Sequence, residues 1–263
     1  LSDISLLSYS AGPGLPPCLK VTAEFAQQLA EKTKKPLIAV NHCIAHIEIA
    51  RLLTKSKDPV IIYVSGGNTQ IIGYASQRYR VFGETMDIAI GNALDTFIRE
   101  TTGEYPGGPA LEKLASRGKT YVELPYVVKG MDLSFSGIIT AALQKYKQRE
   151  NLGITLEDIC FSLQETTFAM LTEVTERALA HTGKNEALLT GGVAANKRLT
   201  EMLDIMCKER DAAFYACQME YAGDCGANIA WTGLLQFRNG EKPVEKADFK
   251  RNWRTDDVEV NWI

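Results

Sequence analysis

The chain has 263 residues, and its 29 Lys and Arg against 32 Asp and Glu give a formal net charge of −3. Hydrophobic residues make up 45% and charged residues 23%, ordinary for a globular chain, which excludes a disordered or fibrous protein. No run approaches the roughly 18 apolar residues of a membrane-spanning helix, and the near-neutral charge gives no global field for nucleic acid, so any RNA contact needs a local patch or a partner.

Residue 1 is Leu1 rather than Met, and the opening ten residues, with Ile4, Leu6, Leu7 and Tyr9, read as a buried strand. They do not read as a leader, because no basic region precedes an apolar one; the sequence is expected to lack its beginning. A strand over 6–9 is followed by a helix over 21–32 and a strand over 36–40. Asn41 is a good N-cap for a helix running to about Leu53. Three strands follow, over 60–65, 69–74 and 79–83, the first two separated by the hairpin punctuation Gly66-Gly67-Asn68. Helices are expected over 87–100, 109–117 and 137–148, then a long one over 156–181 with Ile159, Leu163, Met170 and Val174 as its buried stripe. A strand over 187–190, a helix over 194–209, a strand over 214–216, a helix over 227–237 and a polar tail complete the order. From residue 57 onward this is the order of an RNase H-like lobe, a meander feeding a mixed sheet. Residues 1–56 are therefore expected to be the remainder of a similar N-terminal lobe carrying the metal-binding helix. Residues 57–263 would form the C-terminal lobe, with a helical insertion at about 87–150 and a last helix crossing back to the first lobe.

Six cysteines stand at 18, 43, 160, 207, 217 and 225 with no CxxC pair. They are expected to be free thiols in a reducing cytosol rather than disulfides or a thiolate zinc site, and the expected location is cytoplasmic. The chain has three histidines, and two of them, His42 and His46, are spaced i, i+4. On a helix that spacing sets the Cβ atoms about 6 Å apart on one face, where two neutral imidazoles can grip one divalent metal. The zincin signature places a Glu directly after the first His as general base; here the residue is Cys43.

Val64-Ser65-Gly66-Gly67-Asn68-Thr69-Gln70 links two strands, and Thr190-Gly191-Gly192-Val193-Ala194-Ala195-Asn196 links a strand to a helix. Such turns let backbone amides approach an anion, the second at a helix N-terminus. Each could equally be a plain tight turn. Neither is a Walker P-loop or a GxGxxG fingerprint, and together they read as the paired turns with which actin-like ATPases hold a nucleotide. Asp87, Asp95 and Asp224 lie beside glycines at expected helix starts. Asp224 reads either as a plain cap or as a third metal ligand. The loops over 105–109 and 132–137 are rich in Gly, Pro and Ser. Basic groups at Lys32, Lys34 and Lys35, at Lys145, Lys147 and Arg149, and at Lys197 and Arg198 read first as solvated helix faces and second as phosphodiester contacts.

Taken together, the segments 41–48, 63–70, 83–85, 132–137 and 190–196 resemble the TsaD family, and most closely its archaeal and eukaryotic branch found in the KEOPS complex. The resemblance spans essentially the whole chain. It implies an α/β ASKHA (actin/Hsp70-like) fold of two RNase H-like lobes, the N-terminal lobe here lacking its first strands. It implies transfer of a threonylcarbamoyl group from threonylcarbamoyl-adenylate to N6 of the adenosine beside the anticodon in ANN-decoding tRNAs. By motif match, His42, His46 and Asp224 would hold one divalent ion, Fe2+ or Zn2+, with Tyr63 completing or flanking it. Ser65, Gly66 and Gly67 would meet the phosphate end of the adenine nucleotide, with Tyr63 and Val64 on the same binding side. Asp95, Gly108, Glu112 and Asn196 would hold ribose and base. The implied partners are tRNA, a small kinase-like subunit and a small dimerising subunit, with no membrane; no general base is assigned. One departure from the family is Leu15-Pro16-Pro17-Cys18, where a Gly and a small polar residue usually stand. The competing readings are a metal-dependent glycoprotein endopeptidase, the activity once attached to this family through its HxxxH pattern, and a non-catalytic nucleotide-binding scaffold.

Overall fold

The central sheet is built on a strand that is apolar at every position. β3, Val60–Val64, reads Val-Ile-Ile-Tyr-Val and is buried throughout, the pattern of a strand covered on both faces. The computed structural model, which describes residues 3–263, pairs it antiparallel with β4, Thr69–Ala75, and parallel with β8, Glu186–Thr190. β5, Arg78–Glu84, and β9, Ala213–Ala216, close the edges, giving the order β5-β4-β3-β8-β9. The long helix α6, Leu156–Thr182, packs on β3, β4 and β8. It opens with a capping box: Thr155 Oγ1 accepts the Asp158 amide and the Asp158 carboxylate accepts the Thr155 amide. The same carboxylate accepts the amides of Lys119 and Thr120 at 2.8 and 2.9 Å, tying down the chain between the shorter helices and α6.

A second, two-stranded sheet pairs β1, Leu7–Gly12, in parallel with β2, Leu37–Asn41, across the helix α1, Pro16–Thr33. β2 runs straight into α2, His42–Thr54, which packs on β3 and β8. The helix α9, Gly226–Arg238, lies on β1, β2 and α2. Between the sheet elements stand α3, Ile90–Thr102; α4, Gly107–Ala115; a two-residue ribbon of β6, Val128–Lys129, and β7, Asp132–Leu133; α5, Ser136–Leu152; α7, Lys197–Glu209; and α8, Met219–Ala222. Among the described residues no helix is long and apolar enough to cross a membrane.

Local chemistry moves several boundaries from their sequence-based positions. α1 starts five residues earlier than the apolar spacing indicates, because Pro16 and Pro17 occupy its first turn, where a missing N–H costs nothing. Asp87 does not open α3. Its carboxylate accepts the amides of Ile88, Phe135 and Ser136 and the hydroxyls of Ser134 and Ser136, so it organises two loops, and the helix begins at Ile90. The helix expected from Ala194 is interrupted: Gly192–Ala195 form a 3-10 turn, Asn196 is extended, and its side chain caps α7 through the amides of Arg198 and Leu199 at 2.9 and 3.2 Å.

Gly191, directly after β8, lies hard against β3. Its φ is +96°, and a Cβ there would stand 2.2 Å from the Val64 carbonyl oxygen. Gly191→Ala therefore combines a disfavoured backbone region with overlap against β3 and is expected to lower stability by about 3 kcal/mol, measured by urea denaturation; a change below about 1 kcal/mol would show that β3 and β8 can separate at that end.

Candidate metal and nucleotide site

The carboxyl ends of β2, β3 and β8 all point functional groups to one region, the usual place for ligands in α/β sheets. At the end of β2, Asn41 caps α2: its Oδ1 accepts the amides of Cys43 and Ile44 at 3.0 and 3.2 Å. The cap starts the helix at His42, so the i, i+4 pair lies on one face with ring centroids 4.8 Å apart, edge to face. His46 is buried, and Asp224 Oδ1 stands 3.0 Å from His46 Nε2 and 3.4 Å from His42 Nε2. The three ligand atoms lie within 4.8 Å of one another. Hydrogen bonds from His42 and then His46 hold the Asp224 carboxyl well below the usual carboxylate range, so it is an anion facing two ring nitrogens. Two imidazoles and a carboxylate oxygen converging on one point form a donor set suited to Zn2+ or Fe2+. The Asp224 side chain is 81% exposed, which leaves the outer side of the cluster open to a substrate.

Asp224 is not a helix cap. α9 starts after Cys225 without a side-chain cap, and the Asp224 loop is shaped instead by buried Asn228, whose Nδ2 donates to the Tyr221 and Gly223 carbonyls at 3.3 and 3.1 Å. Sequence reasoning did not find Asn228; its signal was a buried amide one turn into a helix, which many helices carry. Tyr63, near the end of β3, has its ring centroid 5.3 Å from that of His46. Among the described residues neither its buried hydroxyl nor His46 Nδ1 has a hydrogen-bond partner. Burial pushes the Tyr63 pKa well above its ordinary value, so the residue presents a neutral O–H toward the cluster.

Directly beyond Tyr63, the turn at Ser65 folds on itself: the Ser65 amide donates to the Asn68 carbonyl at 2.8 Å and Ser65 Oγ accepts the Asn68 amide at 3.0 Å. Gly66 and Gly67 are exposed, with open space where a Cβ would stand. Gly91, at the start of α3, lies so close that a Cβ would meet the Ser65 carbonyl oxygen at 2.7 Å. The 3-10 turn after Gly191 touches β3 and α8 on one side and α3 on the other, linking the metal cluster to a second group of residues. In that group Asp95 accepts the Gly107 amide at 2.7 Å, placing Gly108 beside it, and Glu112 accepts the Lys197 amide at 3.0 Å. Asn196 spends its oxygen on the α7 cap and its Nδ2 on Gln164 at 3.2 Å. Glu112, Gln164, Lys197 and Arg198 line a groove of about 630 Å³.

The carboxylate on α2 is turned away from this region. Glu48 is buried and accepts Tyr79 Oη at 2.6 Å and Arg51 at 3.2 Å. The position after His42 holds Cys43, whose thiol burial pushes up to about 11. A zincin-type base is therefore missing from α2.

A protein-family model described as TsaD, tRNA N6-adenosine threonylcarbamoyltransferase, matches residues 1–231. A "Probable bifunctional tRNA threonylcarbamoyladenosine biosynthesis protein" of Methanocaldococcus jannaschii is 56% identical over 263 residues, all of this chain and 48% of that protein. The chain belongs to the TsaD family. It spans about half the length of the bifunctional relatives it matches, and 80% of a "tRNA N6-adenosine threonylcarbamoyltransferase" of Archaeoglobus fulgidus, to which it is 56% identical over 262 residues. Among solved structures, T. kodakarensis HypF superposes with a TM-score of 0.71 at 14% identity, covering 90% of this TsaD-family chain and 41% of HypF. An activator of the 2-hydroxyisocaproyl-CoA dehydratase from Clostridium difficile, with bound ADPNP, gives 0.52 at 12% identity, covering 90% and 88%. The fold is of the α/β ASKHA type.

The thiols separate cleanly. Burial raises Cys43 and Cys207 to about 11 and Cys160 to about 12, whereas Cys18 is exposed. Because thiolate is the reactive form, iodoacetamide at pH 8 should label Cys18 in the native protein and leave Cys43, Cys160 and Cys207 unlabelled until denaturant is added, as read by peptide mass spectrometry. Native labelling of Cys43 would show that the metal helix is not packed as described.

Proposed function

We propose that this chain carries the catalytic site of a tRNA threonylcarbamoyltransferase, moving the threonylcarbamoyl group from threonylcarbamoyl-adenylate to N6 of the adenosine beside the anticodon in ANN-decoding tRNAs. The observation that carries the reading is the union, at the ends of the adjacent strands β3 and β8, of a His42–His46–Asp224 cluster with two glycine turns. The names of the close relatives, at 56% identity, support it. In this reading β1, β2, α1, α2 and α9 form one RNase H-like lobe and the five-stranded sheet with its helices the other.

A divalent ion, Fe2+ or Zn2+, held by His42, His46 and Asp224 would supply Lewis-acid polarisation or neutralise phosphate charge. The chain's own groups do the rest. The open Gly66–Gly67 backbone receives the phosphate end, with Ser65 and Val64 fixing the turn and the Tyr63 hydroxyl as a neutral donor beside it. Asp95, Gly108, Glu112 and Asn196 frame ribose and base, Asn196 by holding α7 in place. With both reactants held, the N6 lone pair forms the new C–N bond to the carbamoyl carbon, the bond from that carbon to the phosphate oxygen breaks, and AMP leaves. The N6 proton departs to the leaving phosphate or to water; orientation supplies much of the rate. The expected setting is cytoplasmic, within a KEOPS-type complex with a small kinase-like subunit and a small dimerising subunit. Those partners also supply RNA affinity, since a chain of net charge −3 has little of its own.

The full polypeptide, assembled with its partners and given threonylcarbamoyl-adenylate and unmodified tRNA, is expected to yield the modified nucleoside by mass spectrometry. His46→Ala should lose one bound ion by elemental analysis and more than about 100-fold in rate, beyond what loss of an outer contact to a metal ligand costs. Wild-type protein that forms no modified nucleoside with every partner present would overturn the transferase in favour of a scaffold. Equal metal in wild type and His46→Ala would overturn the ligand assignment.

A further inference from the structure

Residues 239–263 form a strap without regular secondary structure beyond one 3-10 turn, Thr255–Asp257, and it crosses from one sheet to the other. On the first sheet, the Val244 amide donates to the Leu37 carbonyl at 2.8 Å, Tyr9 Oη to the Asp248 carbonyl at 2.8 Å, and the Lys250 amide to the Ala11 carbonyl at 2.7 Å. On the second, Arg254 pairs with Glu84 at 3.2 Å, Arg78 with Glu259 at 2.9 Å, and the Val260 amide donates to the Gln77 carbonyl at 2.8 Å. Where the strap passes between them, Asn41 Nδ2 donates to the Trp253 carbonyl at 3.1 Å and lies 3.4 Å from that of Arg254. Asn41 is 2% exposed, and its other end is the cap of the metal helix.

Among the usual cap residues only Asn does both through separate atoms, Oδ1 toward the helix and Nδ2 toward the strap. An ionised Asp has no donor, and a Ser or Thr hydroxyl must cap and donate from one atom on a shorter side chain. His42 is the first residue of α2, so the pose of its ring depends directly on that cap. We propose that Asn41 is a positioning residue for the His42–His46 pair and that strap residues 250–255 are its anchor, so that metal occupancy and strap order are coupled. This rests on the metal reading above. Coupling of two equilibria is reciprocal: if strap contact favours the metal-ready pose, metal tightens the strap by the same factor.

The test uses full-length protein and Zn2+ alone, titrated against a competing chelator, with amide hydrogen exchange followed over residues 250–255. Wild type should bind one Zn2+, and that binding should slow exchange in the strap. Asn41→Ser keeps an oxygen cap and loses the Nδ2 that reaches the strap carbonyls; it should bind Zn2+ about tenfold more weakly, the lower range for an outer contact to a metal ligand, and show no Zn2+-dependent strap protection. Arg254→Ala, which removes the strap's pairing with Glu84, should shift affinity in the same direction by about two- to threefold, the lower range for a residue that touches neither ligand, and it decides the matter if Asn41→Ser does not fold. Wild type that binds no Zn2+ overturns the metal reading itself. Zn2+ binding that His46→Ala abolishes but that leaves strap exchange unchanged in wild type, or that is equally tight in Asn41→Ser or, where that variant does not fold, in Arg254→Ala, overturns the positioning role alone.

Discussion

The parallel pairing of β3 with β8 is the constraint from which the site follows. It runs in register from Val60 opposite Ala187 to Tyr63 opposite Thr190, so both strands end together and both continue into glycine turns. Gly191 lies against the Val64 carbonyl as no other residue could. That contact brings the second turn beside the first and leaves Tyr63, the last residue but one of β3, facing the helix that carries His42 and His46. The apolar character of β3 and its burial on all five residues make the pairing rigid, and the chemistry is arranged around a fixed edge.

α2, which carries His42 and His46, is held at both ends. At its start the Asn41 carboxamide joins cap and strap. Near its end Glu48, Tyr79 and Arg51 form a buried network, in which Arg51 also donates to the Lys57 carbonyl at 2.9 Å. Burial raises the Glu48 pKa, while Arg51 and the Tyr79 hydroxyl oppose the shift by stabilising the anion. A charged group inside a protein is costly unless fully partnered; here partnering ties α2 to β5 and fixes its rotation, and so the direction in which the two imidazoles point.

What the sequence made legible was local. The i, i+4 histidines, the Asn41 cap, the glycine turns and the long α6 each depend on residues within a turn or two of one another, where spacing fixes geometry. Asp224 was legible as one of two alternatives, since a carboxylate before an apolar helix looks the same as a cap. Its true direction depends on Asn228 and on α2, 178 positions earlier in the chain. Asp87 was misread for the same reason: its partners, Ser134 and Ser136, lie 47 and 49 residues away. The unpartnered Tyr63 hydroxyl and the outward bond of Asn41 leave no sequence pattern, because they arise only when separate sheets close on each other. The start of α1 does carry a local signal, Pro16-Pro17, since proline fits a first helical turn, but the apolar spacing begins only at Val21.

His42, His46 and Asp224 differ in how firmly they are mounted. His46 is enclosed and His42 sits on the same helix, whereas Asp224 hangs on a short loop between α8 and α9 with its side chain in solvent. An ion bound there would therefore leave by a defined route, with the carboxylate swinging away first and the imidazoles still engaged. Release would then still require both nitrogen bonds to break, so loop opening would be the first step and not the whole barrier. A competing chelator would thus meet such an ion first on the Asp224 side, where the cluster is open.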